Sequence, residues 1–212
     1  MKRDAFLARV SAGIMKNELP SSPATADLPG APPSDLLGLF RLRAQAVNTV
    51  VHGPVTRRSV SRTIAAIATG HSVVSYVAWP DLPAPGINSS LAADGFQLIG
   101  QHDGSSDSPL VATADLGITG SLFALAESGS VVLSHGPGRS RLVSLLPPVH
   151  IALVEVETIR WTLVHWARDH LEAVENTANL VIVTGPSRTG DIELQLNLGV
   201  HGPKHLHVVL IK

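Results

Sequence analysis

A chain of 212 residues with 44% hydrophobic residues can hold one large domain, or a domain plus an arm, around a sizeable core. The formal net charge is −1 with no block of like charge, so there is no electrostatic footprint for nucleic acid. Cysteine is absent, which excludes disulfides, a thiol nucleophile and a cysteine-ligated iron–sulfur cluster within this chain. Only 4% of residues are aromatic, so Leu, Val, Ile and Ala must build the core. Ala5 to Lys16 carries Phe6, Leu7, Val10 and Ile14 on one helical face. Asn17 to Pro33 holds five prolines among Ser, Gly and Ala, and reads as an extended linker. Residues 1–33 are therefore expected to form a helical arm and Pro-rich linker, and residues 34–212 the main domain. The arm could dock on its own molecule or pair two copies as a homo-oligomer.

Ser34-Asp35 supplies an N-cap for a helix with Leu36, Leu37, Phe40, Ala44 and Val47 on one face. Thr49 to Val51 reads as a short strand that stops at His52-Gly53-Pro54. Thr56 to Ala68 is an expected helix closed by Gly70, and Ser72 to Ala78 an apolar strand. Pro80 to Ser108 is rich in Pro, Gly, Asp and Ser, with one strand at Phe96 to Ile99. Val111 to Ala114 reads as a strand, Ser121 to Glu127 as a short helix and Ser130 to Leu133 as a strand. Arg139 to Leu146 is a helix stopped by Pro147-Pro148, and His150 to Val156 a buried strand. Thr158 to Val174 has the clearest helical stripe, through Ile159, Leu163, Trp166, Ala167, His170 and Val174. Asn179 to Val183 is a strand, the alternation from Ile192 to Val200 has a period of 2, and His205 to Ile211 ends the chain as a strand. Strands alternating with helices predict an α/β fold with a largely parallel sheet. Runs such as Ile151-Ala152-Leu153-Val154 predict strands covered on both faces.

Chemistry concentrates in four segments. Asp115 to Gly120 includes Thr119. Glu127-Ser128-Gly129 places a carboxylate at a tight turn, where it can act as base or nucleophile or simply end a helix in solvent. His135-Gly136-Pro137-Gly138 precedes Arg139 and Arg141, two guanidinium groups suited to a phosphate or carboxylate. Gly185-Pro186 opens a polar run of Ser187, Arg188, Thr189, Asp191 and Glu193, answered by Gly199 to Pro203 with His201. Such a run reads as backbone held open around a polar ligand, and these side chains are expected to converge on one cleft with Glu127. The tripeptide His-Gly-Pro recurs at His52, His135 and His201 with unequal spacing, so it is no solenoid repeat. His205 and His207 share a strand face near His201, but no spacing rule makes them a metal set. His165 and His170, five apart, read as structural or exposed. Walker, Gly-x-Gly-x-x-Gly, Gly-x-Ser-x-Gly and His-Glu-x-x-His motifs are absent. No run of 18 apolar residues predicts a membrane span and the first residues do not resemble a signal peptide, so a soluble cytoplasmic protein is expected.

The chain resembles the lactate-utilisation protein C family, defined by the LUD domain. The resemblance is carried by Gly117 to Gly120, Ala126-Glu127-Ser128-Gly129, Ser144 to His150, Gly185 to Glu193 and Gly199 to Pro203. The family pattern has Ala where this chain has Gly190, and Glu-Thr-Gly-Thr where it has Glu127-Ser128-Gly129-Ser130; the charges and hydroxyls are kept. The resemblance implies a three-layer α/β/α sandwich of the NagB/RpiA/CoA-transferase-like kind. It implies a non-cluster subunit that helps oxidise L-lactate to pyruvate together with two iron–sulfur partner proteins, binding a small carboxylate or a partner and holding no cofactor of its own. Two alternatives stay open: a stand-alone transferase or ligase using Glu127, or a regulatory ligand-binding module without chemistry.

Overall fold

The computed structural model describes residues 3–16, 30–99, 109–170, 177–189 and 197–212. The chain divides into two units, Met1–Ala31 and Pro32–Lys212. In the first, α1 (Arg3–Lys16) is a single helix with Asp4 in its first turn and exposed Phe6 and Leu7. In chain order the second unit contains α2 (Leu36–Ala46), β1 (Val50–Val55), α3 (Val60–Gly70), β2 (Ser75–Ala78), α4 (Ile87–Ala93) and β3 (Gln97–Leu98). Then come β4 (Leu116–Thr119), β5 (Phe123–Leu125), β6 (Ser130–His135), α5 (Leu142–Leu145), β7 (Val149–Glu155) and β8 (Ile159–Arg160). The last are α6 (Leu163–Asp169), β9 (Asn179–Val183), β10 (Arg188–Thr189), β11 (Asn197–Leu198) and β12 (His205–Ile211). Among the described residues no helix is long and apolar enough to cross a membrane.

A six-stranded sheet in the order β1-β12-β7-β4-β2-β3 forms the centre, and every neighbouring pair in it is parallel. Parallel strands need crossovers, and the crossovers cover the faces. On one face Ile151, Leu153, Val209 and Ile211 pack with α3 and α4 through Ile64, Ile67, Ile87 and Leu91. On the other, Ala152, Val154, Val208 and Leu210 pack with Phe40 and Ala44 of α2 and with Ala124, Val131 and Leu133. Those last three belong to a second sheet, β8-β5-β6-β9, in which β6 runs antiparallel to β5 and β9. Its outer face carries Phe123, Leu125 and Val132 against Trp166 of α6, with the Phe123 and Trp166 rings stacked at 4.1 Å. The layer on that side of the central sheet is thus a small sheet plus α2.

Several expected elements change type for physical reasons. Ser121 to Glu127 is not a helix: its Leu-Phe-Ala-Leu-Ala run satisfies both periods, and pairing with β6 splits Phe123 and Leu125 from Ala124 and Ala126 onto two buried faces. Thr158 to Val174 is not one helix. Ile159 lies in β8, and α6 starts only after Thr162, whose Oγ1 accepts the His165 N–H at 3.2 Å. Residues 171–176 lie outside the described residues. Pro109–Thr113 is a short 3-10 helix in place of the expected strand, which begins at Leu116. The Asp115 carboxylate fixes that start by accepting the Val74 and Ser75 N–H groups at 3.0 and 2.8 Å. β1 continues through His52-Gly53-Pro54 instead of stopping there, and α4 lies within a segment expected to be mainly loop.

Candidate functional site

Parallel α/β sheets present ligands at the carboxyl ends of their strands, because the loops leave there and the strand ends point outward. Here Trp79 to Pro83 leave β2, Gly120 to Leu122 leave β4, Glu155 ends β7, and Ser134 and the turn Gly136–Arg139 lie at the end of β6. These segments enclose a cavity of about 270 Å3 lined by Trp79, Asp81, Ser121, Ser134, Arg139 and Glu155 among others. A second space of about 400 Å3 adjoins it, and the two share Asp81, Ser134 and Arg139 as a common wall. The second space is closed by His135, Gly136 and Pro137.

The charges of this cleft are arranged as two ion pairs. Arg139 Nε donates to Asp81 Oδ2 at 2.7 Å, and an Nη of the same guanidinium also reaches that oxygen. Arg57 bridges the Glu155 carboxylate and the Pro83 carbonyl. The Arg139 and Asp81 side chains remain 42% and 44% exposed, so solvent screens their attraction and a competing anion can reach the guanidinium. Arg139 is presented by a reciprocal turn: its N–H donates to the Gly136 carbonyl at 2.9 Å, and the Gly136 N–H returns to Arg139 at 3.4 Å. Trp79 Nε1 donates to the Ser140 carbonyl at 3.0 Å and so holds the same turn against the β2 loop.

Two buried histidines lie at the inner side. His135 is 4% exposed, lies edge-to-face against Trp79 with centroids 5.4 Å apart, and has both ring nitrogens shut off from solvent. The nearby Asn179 carbonyl favours protonation of that ring, but burial first and then the Arg141 charge outweigh it and hold the pKa below the ordinary value. His150 is fully buried. Its Nε2 pairs with the Thr119 hydroxyl at 2.9 Å, and its Nδ1 has no partner among the described residues. Burial, then the neighbouring His135 and His207, push its pKa down to about 3.

The C-terminal motif gathers at the other end of the central sheet. The Lys204 N–H donates to the Pro148 carbonyl at 2.8 Å, just before β12 and β7 begin. The Ser187 N–H donates to the Pro203 carbonyl, the Gly199 N–H to the Ser187 carbonyl, and the His201 N–H to Ser187 Oγ at 3.3 Å. Arg188 Nη2 donates to the Val47 carbonyl at the end of α2 at 3.0 Å. Thr189 pairs through its backbone with Asn197, and Asp191 and Glu193 lie outside the described residues. The Glu127 turn reaches the same end of α2. Gly129, at φ +68°, sits so close to the Arg43–Ala44 backbone that a Cβ would collide with it, and a Cβ on Gly185, at φ +81°, would collide with the Val47 carbonyl. Oγ of Ser128, Oγ of Ser130 and Oγ1 of Thr184 form a hydroxyl chain with steps of 2.7 Å that joins the two turns. Glu127 itself is exposed, its N–H donating to the Trp161 carbonyl.

Of the residues singled out from sequence, Arg139 therefore lies in the carboxyl-end cleft. Ser187, Arg188, His201 and the Glu127 turn gather at the amino end, Arg141 is exposed at the start of α5, and Thr119 is buried on His150. Asp81, Ser121 and Glu155 were missed, as was His135 as a cleft residue. The available signal was positional: each lies at or just past the last residue of an apolar strand. His205 and His207 pack on His71 at the end of α3. His207 offers Nδ1 to His52 and Nε2 to His71, at 3.0 and 2.9 Å, so these rings form a chain and do not surround one centre. Among the described residues no three His, Asp or Glu side chains are placed to hold a metal ion.

Residues 37–211 match the family model of the LUD domain. The chain belongs to the LUD domain family. It is 28% identical over 214 residues to a protein of Macrococcus caseolyticus called lactate utilization protein C, with 95% of this chain and 92% of the other covered. Proteins of the same name from Shouchella clausii and Halalkalibacterium halodurans are 29% identical over 95% of this chain and 93% of theirs, and 33% identical over 73% and 71%. A crystal structure of a DUF162 family protein from Deinococcus radiodurans superposes with a TM-score of 0.65 at 23% identity, covering 84% of this chain and 98% of that one. That likeness confirms the fold of this LUD domain: mixed α/β around a mostly parallel sheet.

Proposed function

We propose that this LUD-domain chain is a subunit of a lactate-utilisation system and that it binds a small carboxylate in the carboxyl-end cleft with Arg139 as the anchor. Relatives named lactate utilization protein C along nearly the whole chain support the role. The observation that carries the site is Arg139, held on a fixed turn in a cavity of about 270 Å3 and paired with a half-exposed carboxylate. That volume suits a three- or four-carbon acid better than a nucleotide. Guanidinium binds carboxylate in a planar two-point geometry, which suits an anion that must be oriented as well as held.

Oxidation of lactate to pyruvate removes two electrons and two protons. In this reading, which follows the family resemblance, the electrons pass to separate iron–sulfur proteins, and this subunit, which has no cysteine to ligate a cluster, holds and orients the organic acid. Isothermal titration of the whole chain with L-lactate and with pyruvate tests the site. Both should bind, and Arg139→Gln should abolish the heat with both while the melting temperature stays within a few degrees. Unchanged binding in Arg139→Gln overturns the assignment. Co-purification with cysteine-rich iron–sulfur proteins from the same cells tests the partnership. Its absence, together with normal growth on lactate after deletion, overturns the role.

A further inference from the structure

The charges around the carboxyl-end cavity balance before anything enters it. Among the described residues that line it, Arg139 is the one cation, and Asp81 and Glu155 are the two carboxylates. Arg57 supplies the second positive charge from behind, but its two Nη groups are taken by Glu155 and the Pro83 carbonyl. An acid that takes Arg139 from Asp81 adds a negative charge and strips Asp81 of its counter-ion. Three carboxylates then face one free-standing cation in about 270 Å3. An excess of one sign in a partly desolvated space is unfavourable, and a ligand that brings its own positive charge avoids it.

The hydroxyl on the β4 side points the same way. Ser121 Oγ–H donates to the Leu153 carbonyl at 2.9 Å, so its proton is committed and only its lone pairs serve the cavity. Asp81 and Glu155, as carboxylates, also only accept. Three acceptors therefore line a space that holds one guanidinium, and a primary ammonium carries three N–H donors. Placement narrows the chemistry further. Asp81 touches Arg139 at 2.7 Å, so an acceptor for the ammonium lies directly beside the cation for the carboxylate. A 2-amino acid carries those two charges on adjacent carbons. A dicarboxylate adds to the negative excess, and a simple amine has nothing to draw Arg139 away from Asp81.

We propose that the cleft takes a short 2-amino acid as its zwitterion, with the carboxylate on Arg139 and the ammonium held by Asp81, Glu155 and Ser121 Oγ. The inference rests on the carboxylate-binding reading of Arg139. It adds a second ligand class, an amino acid that excludes a plain acid from the same anchor. Asp81 then acts in opposite senses on the two classes. It competes with a plain acid for Arg139, and it pairs with a ligand that carries an ammonium.

Isothermal titration of the whole chain with L-alanine and with L-lactate, which differ only in ammonium against hydroxyl, provides the test. L-Alanine should bind about tenfold more tightly, the effect of charge-assisted hydrogen bonds in a partly dry site. β-Alanine, whose ammonium lies one carbon farther from the carboxylate, should bind more weakly than L-alanine. Asp81→Asn should weaken L-alanine binding about tenfold while it tightens L-lactate binding, with a melting temperature close to that of the parent. L-Lactate binding as tightly as L-alanine in the parent, or Asp81→Asn shifting both ligands in the same direction, overturns the amino-acid reading and leaves Arg139 as the carboxylate anchor. Undiminished binding of both ligands in Arg139→Gln, or failure of the parent to bind either, overturns both readings together.

Discussion

The two ends of the central sheet are built by different means. At the amino end, contiguous Gly, Pro, Ser and Thr residues are knitted to one another and to the end of α2 by backbone bonds and by the Ser128–Ser130–Thr184 hydroxyl chain. At the carboxyl end, Asp81, Ser121, Glu155 and the turn from His135 to Arg139 come from distant parts of the sequence and meet around two adjoining spaces. The first region is dense in motif and tight in packing. The second is sparse in motif, open, and carries partly exposed ion pairs. A motif-rich segment can therefore reflect close backbone approach, while ligand chemistry is spread over positions that no local pattern marks.

The largest expected effect separates a knitting glycine from a cleft glycine. Gly129→Ala places a Cβ into the Arg43–Ala44 backbone at a left-handed φ, so both strain and overlap oppose it. It should cost about 3 kcal/mol in urea denaturation. Gly136→Ala, at the cleft turn, meets nothing within 4 Å and should change stability by less than about 0.5 kcal/mol. Similar costs for the two variants would erase the distinction between a packed end and an open one.

Acid sharpens the comparison within the core. Burial first, then neighbouring histidines, push His150 and His207 down from 6.5 to about 3. Unfolded, both rings bind a proton near pH 6.5; folded, they stay neutral far below it. The unfolded state therefore takes up protons first as pH falls, and stability is complete above about pH 7 and declines from there towards pH 3. His150, which is fully buried, should account for about 2–3 kcal/mol of loss by about pH 4.5. His150→Met should flatten that slope in chemical denaturation between about pH 7.5 and pH 4.5. A slope unchanged by the substitution would place the acid sensitivity elsewhere, with the His52–His207–His71 chain the next group to substitute.

The parts of this fold that could be read from sequence are those where one period dominates. The central strands β7 and β12 are continuous apolar runs, and α2 carries its Asp35 cap, which accepts the Gly38 N–H at 2.8 Å. Reading failed where a short apolar run satisfied both periods, as at Phe123–Leu125, because pairing with β6 and packing on Trp166 decide between them. It failed too at Ile159, where the helical stripe crosses a strand and a cap before α6 starts. The cleft was legible in one residue, Arg139, because its Gly-Pro-Gly turn is local. Asp81 and Glu155 had no local mark, since their meaning depends on which strand ends become neighbours in the order β7-β4-β2.

The smallest expected effect on stability is paired with a gain in binding. Asp81 and Arg139 form an ion pair with both side chains nearly half exposed, and such pairs contribute less than about 1 kcal/mol. Asp81→Asn should therefore leave the urea midpoint almost unchanged. The carboxylate it removes is the group that a ligand carboxylate must displace from Arg139, so its loss should tighten L-lactate binding by about three- to tenfold. The salt dependence of that binding should also rise, because the guanidinium would then be neutralised by the ligand alone. Weaker binding in Asp81→Asn would mean that the carboxylate orients Arg139 for the ligand and does not compete with it. The double variant Asp81→Asn with Arg139→Gln separates the two roles: a competitor has no effect once its cation is gone, so its affinity should equal that of Arg139→Gln.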